Sequence, residues 1–567
     1  MKKLPTTASL FVVTAVAILA LIPTVCAQQP SPTPVPPPEI QWGVKIPMRD
    51  GLKLHGNLYR PRNTGEKLPV IVSMTPYTLD TVHEYAVAFA KNGYVFIGID
   101  VRGRGDSGGD FIPFENEGRD GYDVVEWAAK QPWSNGKVAM HGISYLGGVQ
   151  WSTMEERPPH LVTAIPMVAA KFMGYLRNNI AERYALEWLA YVSGKTRNTN
   201  LRADHQYWSS CVRNLRENDL PFSSLDSVCG FPSPIFQKWL SHPTRDQYVD
   251  SFFTTPDEHK RIDLPILEMQ VYFDRGDLDQ YREHIKYASP EAAARHYLVM
   301  GPWDHFLMES SRSSQVGDLK FGEASVVDLI KLHTEWYDWT MKNGPKPAFL
   351  KKNVAYYAIG PEEWRYADSL EAIGTTSRKF YLGSKGEPLS EKQPGSLTEV
   401  PLPDSSPDSY RYDPMDRVRG GTGREVLYDT GPFAEDTDIV GQMKVVAWMS
   451  IDVPDTDFSV YIAEFDPSGK DVGPWYIDMI RARFRESLRT ERLVKPGEIN
   501  RYEFNYLKWQ YRRIRKGNVS DLGASFQKNY NSGGVVAKET AKDARTATVK
   551  VHHDSKYPSF LEIPVAR

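Results

Sequence analysis

A chain of 567 residues, 41% hydrophobic and 25% charged, is long enough for two or three domains with sizeable cores and too apolar to be disordered. Its 68 Lys and Arg against 71 Asp and Glu leave a net charge of −3, which gives no general attraction for nucleic acid or an anionic membrane surface. At the N-terminus, Lys2-Lys3, the apolar stretch Leu10 to Ile22 and the small-residue site Val25-Cys26-Ala27 read as a signal peptide over 1–27, so the mature chain is expected to be secreted or periplasmic. Residues 28–39 are proline-rich without hydrophobic periodicity and read as an extended linker. No later run reaches the ~18 apolar residues of a membrane span. After export only Cys211 and Cys229 remain; two thiols in an oxidising compartment are candidates for a disulfide closing a loop of roughly 19 residues, and two buried free thiols are the alternative.

The folded body is expected from about Ile40. Over 40–165 the chain alternates apolar strand-like runs with helical stretches: Val70-Ile71-Val72, Glu84 to Lys91, Tyr94 to Ile99, Tyr122 to Lys130, Val138 to Met140. That rhythm predicts a mostly parallel sheet covered on both faces, with any ligand at the carboxyl ends of its strands. Residues 166–261 are aromatic and helical in character, an inserted cap. Strand signals return at Pro265 to Met269 and His296 to Met300, and a helix over Val326 to Met341 closes the α/β domain, assigned to 40–165 and 262–347. From 348 to 567 short alternating runs punctuated by Gly, Pro and Asp predict an antiparallel β-sandwich of jelly-roll type.

Within this plan, Gly142-Ile143-Ser144-Tyr145-Leu146-Gly147 lies between the run Lys137 to Met140 and a helical segment, so Ser144 is expected on a strand-to-helix elbow. Glycines 142, 147 and 148 provide the room such a turn needs. A serine hydroxyl needs a base, and the base needs an orienting group. The candidates follow in the order this fold requires: Asp274 after Gln270 to Phe273, and His305 after Gly301-Pro302-Trp303-Asp304. The duller readings are that Ser144 is a helix N-cap, that Asp277 or Asp279 replaces Asp274, and that His305 is structural. Gly103-Arg104-Gly105-Asp106-Ser107-Gly108 mimics a dinucleotide fingerprint but opens no apolar helix; Arg102 and Asp106 are expected to hold that turn. Adjacent His552 and His553 do not have zinc-ligand spacing, and neither a metal nor another cofactor is expected.

These residues resemble the CocE/NonD-type α/β-hydrolases, the group of cocaine esterase, α-amino-acid ester hydrolase and X-Pro dipeptidyl-peptidase. The elbow pattern G-x-S-Y-x-G accounts for Leu146 and the late glycine. Further matches are Thr75-Pro76-Tyr77, Asp100 to Gly105, Glu126-Trp127 through Gly136, and Gly301-Pro302-Trp303 with His305; Asp455 to Phe458 and Pro558 to Glu562 resemble the group's C-terminal jelly roll. The resemblance implies an α/β-hydrolase fold with a helical cap and a C-terminal sandwich, and a Ser144, His305, Asp274 triad. It also implies an oxyanion hole made by the Tyr77 hydroxyl and the Tyr145 backbone N–H.

The expected partner is a small-molecule ester or amide; homo-oligomerisation stays open. Trp188 and Trp303 are candidate pocket residues, and Trp188, Tyr191, Tyr207 and Trp208 either line an acyl pocket or pack the cap. In the α-amino-acid ester hydrolases an E-D pair after the triad aspartate helps bind the substrate ammonium; here those positions hold Gly276 and Asp277, and Asp277, Asp279 or Glu187 would have to provide the charge. The expected activity is carboxylic ester hydrolysis, with X-Pro dipeptidyl-peptidase or α-amino-acid ester hydrolase activity as the alternative. A non-catalytic binding protein on a hydrolase scaffold is the reading of another class.

Overall fold

A computed structural model of the chain describes residues 36–62, 65–171, 183–274, 278–305, 308, 313–384, 393–402, 406–412, 425–473, 476–505, 507, 509–525 and 546–567. The expected signal segment 1–27, most of the linker and Asp277 lie outside the described residues. Pro37 to Arg567 forms one compact unit.

Eight strands position the site: β1 (Glu39–Pro47), β2 (Lys53–Arg60), β3 (Leu68–Thr75), β4 (Val95–Asp100), β5 (Ser134–Ile143), β6 (Leu161–Met167), β7 (Ile266–Val271) and β8 (His296–Gly301). They pair in the order β1-β2-β4-β3-β5-β6-β7-β8. The first two junctions are antiparallel and the rest parallel. Every residue of β4, β7 and β8 is buried, the signature of a sheet covered on both faces. Cover comes from helix pairs: α1 (His83–Lys91) packs on the helix Leu329–Lys342, and α2 (Glu117–Ala129) packs on α3 (Tyr145–Glu156). The Leu329–Lys342 helix is capped by Asp328, whose side chain accepts from the Lys331 N–H, and begins three residues later than the apolar pattern suggested.

Between β6 and β7 the described chain is helical, including Arg183–Tyr191, His205–Glu217, Pro234–Leu240 and Pro256–Arg261. Cys211 and Cys229 form a disulfide there, with Cα atoms 5.2 Å apart. After β8 the sheet continues through a strand that also pairs, at Ala358 and Ile359, with Trp509–Ile514. Val354–Ile359 pairs parallel with β8, and Glu363–Ala367 pairs antiparallel with it in turn. Val-Ala-Tyr-Tyr-Ala-Ile is buried throughout, as a strand added to a doubly covered sheet must be.

From Thr375 the chain is a set of mostly antiparallel strands around a second apolar core that includes Val445, Phe458, Tyr502 and Leu561. The acidic motif before Phe458 has a structural use. Asp457 takes a bidentate bond from the buried Arg481 at 2.6 and 2.9 Å, and Asp455 accepts from Arg483 Nε at 2.8 Å. Ser559 accepts from the Trp448 N–H at 2.9 Å and donates to the His552 carbonyl, pinning two strands together.

Candidate active site

Ser144 sits between β5 and α3 with φ 62° and ψ −121°, a left-handed backbone that few non-glycine residues adopt. The strain is held by three backbone bonds: Ser144 N–H to the Met167 carbonyl at 2.8 Å, and Gly148 and Ala170 N–H to the Ser144 carbonyl at 3.0 and 3.1 Å. The Ser144 side chain makes no capping bond to the helix it precedes, which removes the N-cap reading. Close packing explains the glycines. A Cβ on Gly148 would lie 1.9 Å from the Ala170 carbonyl oxygen, and one on Gly142 would lie 2.4 Å from the Leu146 Cβ.

Asp274 and His305 are brought together by two strand exits that remain paired. Beyond the β7 and β8 ladder, Tyr272 N–H bonds the Gly301 carbonyl at 3.0 Å and Phe273 N–H bonds the Trp303 carbonyl at 3.1 Å. Those bonds fix the loops in step, and His305 Nδ1 meets Asp274 Oδ2 at 2.5 Å. The pair is partly open, with side chains 31% and 24% exposed.

Trp303 does not serve as a pocket wall. It is buried beneath Gly301, where a Cβ would lie 2.4 Å from its ring, and its indole N–H donates to the Ser325 carbonyl at 2.9 Å. Its packing holds the loop that carries His305.

Tyr77 follows β3 through a turn in which its N–H donates to Thr75 Oγ1 at 2.9 Å. Its ring lies against Tyr145 and Tyr191. The hydroxyl accepts from Trp188 Nε1 at 3.1 Å and has the Ser144 side chain as a neighbour that favours its ionised form. Burial pushes the phenol well above its ordinary range, so it stays a neutral donor in the working pH range of a protein.

Tyr145, directly after the serine, stacks on Phe114 with centroids 4.0 Å apart and on Trp188 with centroids 5.7 Å apart. Its hydroxyl donates to the buried Glu117 and accepts from the Phe114 N–H at 3.1 Å. Burial holds the Glu117 carboxyl up to about 7 despite that bond. The sequence offered no signal for Glu117, because a glutamate in the first turn of a helix is ordinary.

The cap aromatics divide. Trp188 and Tyr191 face Tyr77, whereas Trp208 donates to the Leu201 carbonyl at 2.8 Å and Tyr207 donates to the Cys229 carbonyl, both inside the cap. Glu187 is paired with Arg183 at 2.6 Å. The turn of the false dinucleotide motif is held differently from expectation: Arg102 bonds Asp120 at 2.6 and 3.0 Å and Asp50 at 2.8 Å, since Asp106 points out at the surface with its side chain 81% exposed. Among the described residues, no group of three or more His, Cys, Asp or Glu is placed to hold a metal ion, and no helix is long and apolar enough to cross a membrane.

Comparison with known proteins agrees with this architecture. Residues 50–307 match the X-Pro dipeptidyl-peptidase (S15 family) model, and residues 347–562 match the X-Pro dipeptidyl-peptidase C-terminal non-catalytic domain. The chain is 25% identical to cocaine esterase of Rhodococcus sp. (strain MB1 Bresler), over 92% of this chain and 98% of that one. Among solved structures, an aminopeptidase from a marine sediment Thaumarchaeota archaeon superposes with a TM-score of 0.80 at 19% identity, covering 95% of this chain and 99% of that one. An α-amino acid ester hydrolase superposes with a TM-score of 0.78 at 19% identity, covering 96% and 100%.

Proposed function

Because the chain belongs to the CocE/NonD-type α/β-hydrolases, serine hydrolases that act on esters, we propose that it cleaves carboxylic esters through Ser144, His305 and Asp274. Ser144 Oγ attacks the acyl carbon while His305 takes its proton. Asp274 holds the imidazole at Nδ1, so that the other ring nitrogen faces the serine as the base. The carbonyl oxygen becomes negative and is stabilised by the Tyr77 hydroxyl and the Tyr145 N–H. His305 then returns the proton to the leaving alcohol, and water, activated by the same histidine, frees the acyl group from the serine. Residues 1–27 act as a signal peptide, and the enzyme works outside the cytoplasm, a reading supported by the Cys211–Cys229 pair.

The observation that carries the reading is the 2.5 Å contact of His305 with Asp274 on strand exits of the sheet whose elbow presents Ser144. A simple acyl ester is favoured over an aminoacyl ester because the acidic pair is reduced to Gly276 and Asp277, and Glu187 already has Arg183 as its counter-ion. The test compares purified protein on p-nitrophenyl acetate, a phenylalanine ester and Gly-Pro p-nitroanilide. The acetyl ester is expected to give the highest kcat/KM; a preference for the anilide would assign a dipeptidyl-peptidase instead.

A further inference from the structure

The Tyr77 hydroxyl has one proton, and the direction in which it points decides whether the group can stabilise an oxyanion. A phenol oxygen can accept and donate, but an indole N–H can only donate. At 3.1 Å from Tyr77, Trp188 Nε1 therefore occupies a lone pair of that oxygen. We infer that Trp188 is a positioning residue: its N–H claims the acceptor side of Tyr77 and leaves the phenol proton directed at Ser144 and at the oxygen that turns negative there. The inference rests on Tyr77 being the oxyanion donor proposed above and adds what aims it.

Trp188 is suited to aiming rather than to lining a ligand site. It is 1% exposed, stacked on Tyr145 at an interplanar angle of 19° and packed against Phe111. A ring enclosed in this way offers a substrate little surface, yet its N–H is held in one direction.

The segment that carries it is fastened to the turn that carries Tyr77. The fully buried Arg104 guanidinium donates from Nε to the Pro76 carbonyl at 2.7 Å, immediately before Tyr77. Its other nitrogens donate to the carbonyls of Gly194 and, at 2.9 Å, Thr196, just beyond the Trp188 helix. Lys195 Nζ returns the connection, donating to the Gly103 and Ser107 carbonyls at 3.0 Å each. The two partners of the Trp188–Tyr77 bond, 111 residues apart, are thus hung from one guanidinium. Burial lowers the Arg104 pKa to about 10, still leaving it charged, and a charged guanidinium bonded to three carbonyls is a strong and directional clasp.

The test is a double-mutant cycle on p-nitrophenyl acetate hydrolysis, with active sites counted by stoichiometric fluorophosphonate titration so that misfolded protein does not enter kcat. Trp188→Phe removes the N–H, and benzothienylalanine incorporated at position 188 removes it while keeping the shape of the ring. Both are expected to lower kcat by on the order of tenfold with KM within about twofold, and to have under about twofold effect on kcat when Tyr77 is already Phe. A loss expressed in KM alone, an undiminished loss in the Tyr77→Phe background, or full kcat with benzothienylalanine would each overturn the inference. If Tyr77→Phe by itself leaves kcat intact, the oxyanion assignment fails first; if Tyr77→Phe is slow and the benzothienylalanine protein is not, only the role of Trp188 fails.

Discussion

At Tyr77 a single hydroxyl ties the end of β3 to the cap through Trp188, beside the elbow that carries Ser144. A donor aimed at the transition-state oxygen contributes to turnover more than to ground-state binding, so Tyr77→Phe should lower kcat by ~10²–10³ with little change in KM in steady-state hydrolysis of p-nitrophenyl acetate. Equal losses in kcat and in affinity would point to a packing role instead. The placement of Ser144, Asp274 and His305 at strand exits of one sheet was legible in the sequence, because each stands next to a strand signal and in the chain order that a parallel sheet imposes. The bond from Trp188 to Tyr77 and the one from Tyr145 to Glu117 were not, since both depend on how segments distant in sequence dock, and neither spacing nor periodicity encodes docking. Trp303 illustrates the same limit: a tryptophan two residues before His305 reads equally as wall or as support, and its burial with the Ser325 carbonyl on its N–H decides for support.

The elbow, as an element, is a backbone strain sustained by lack of side chains around it. Gly148 approaches the Ala170 carbonyl so closely that a methyl group would overlap a backbone oxygen, which cannot swing aside as a side chain could. Gly148→Ala should therefore destabilise the protein by about 3 kcal/mol or more, read as a lowered urea midpoint, while Gly65→Ala, with open space around it, should leave the midpoint unchanged. Equal midpoints for the two variants would remove the packing argument. The parallel strands and their helices were predictable because a doubly covered strand is mostly apolar along its whole length. Val354–Ile359 is apolar on every residue as well, and it pairs with β8 at its start and with Trp509–Ile514 at its end, a double partnership that only docking decides.

On the scale of the whole molecule, the α/β body buries imidazoles that titrate as part of folding. Burial lowers His259 and His333 to about 3, His284 to about 4, and His141 well below its ordinary value. His296, 3.2 Å from the buried Glu268, is likewise lowered to about 3 by burial. A histidine with its folded pKa depressed is neutral when folded and charged when unfolded, so its contribution is intact above about 6.5 and is lost as pH falls from there toward 4. Each such group costs up to about 1.4 kcal/mol per pH unit. Glu117, raised to about 7, and Asp100, also raised by burial, act in the opposite sense, since the folded state binds their protons more tightly; within the α/β body two carboxyls oppose five imidazoles. The urea midpoint should accordingly be lower at pH 5 than at pH 7, and an equal or higher midpoint at pH 5 would show that these histidines are solvated.

All of these features converge on the claim that Ser144 is the nucleophile. The most direct test is to treat the folded protein with a fluorophosphonate and locate the adduct by peptide mass spectrometry. One phosphonyl group on Ser144, with ester hydrolysis lost in proportion and no labelling of Ser144→Ala, is the predicted result. Hydrolytically active protein that takes no label, or takes it at another residue, would contradict the account.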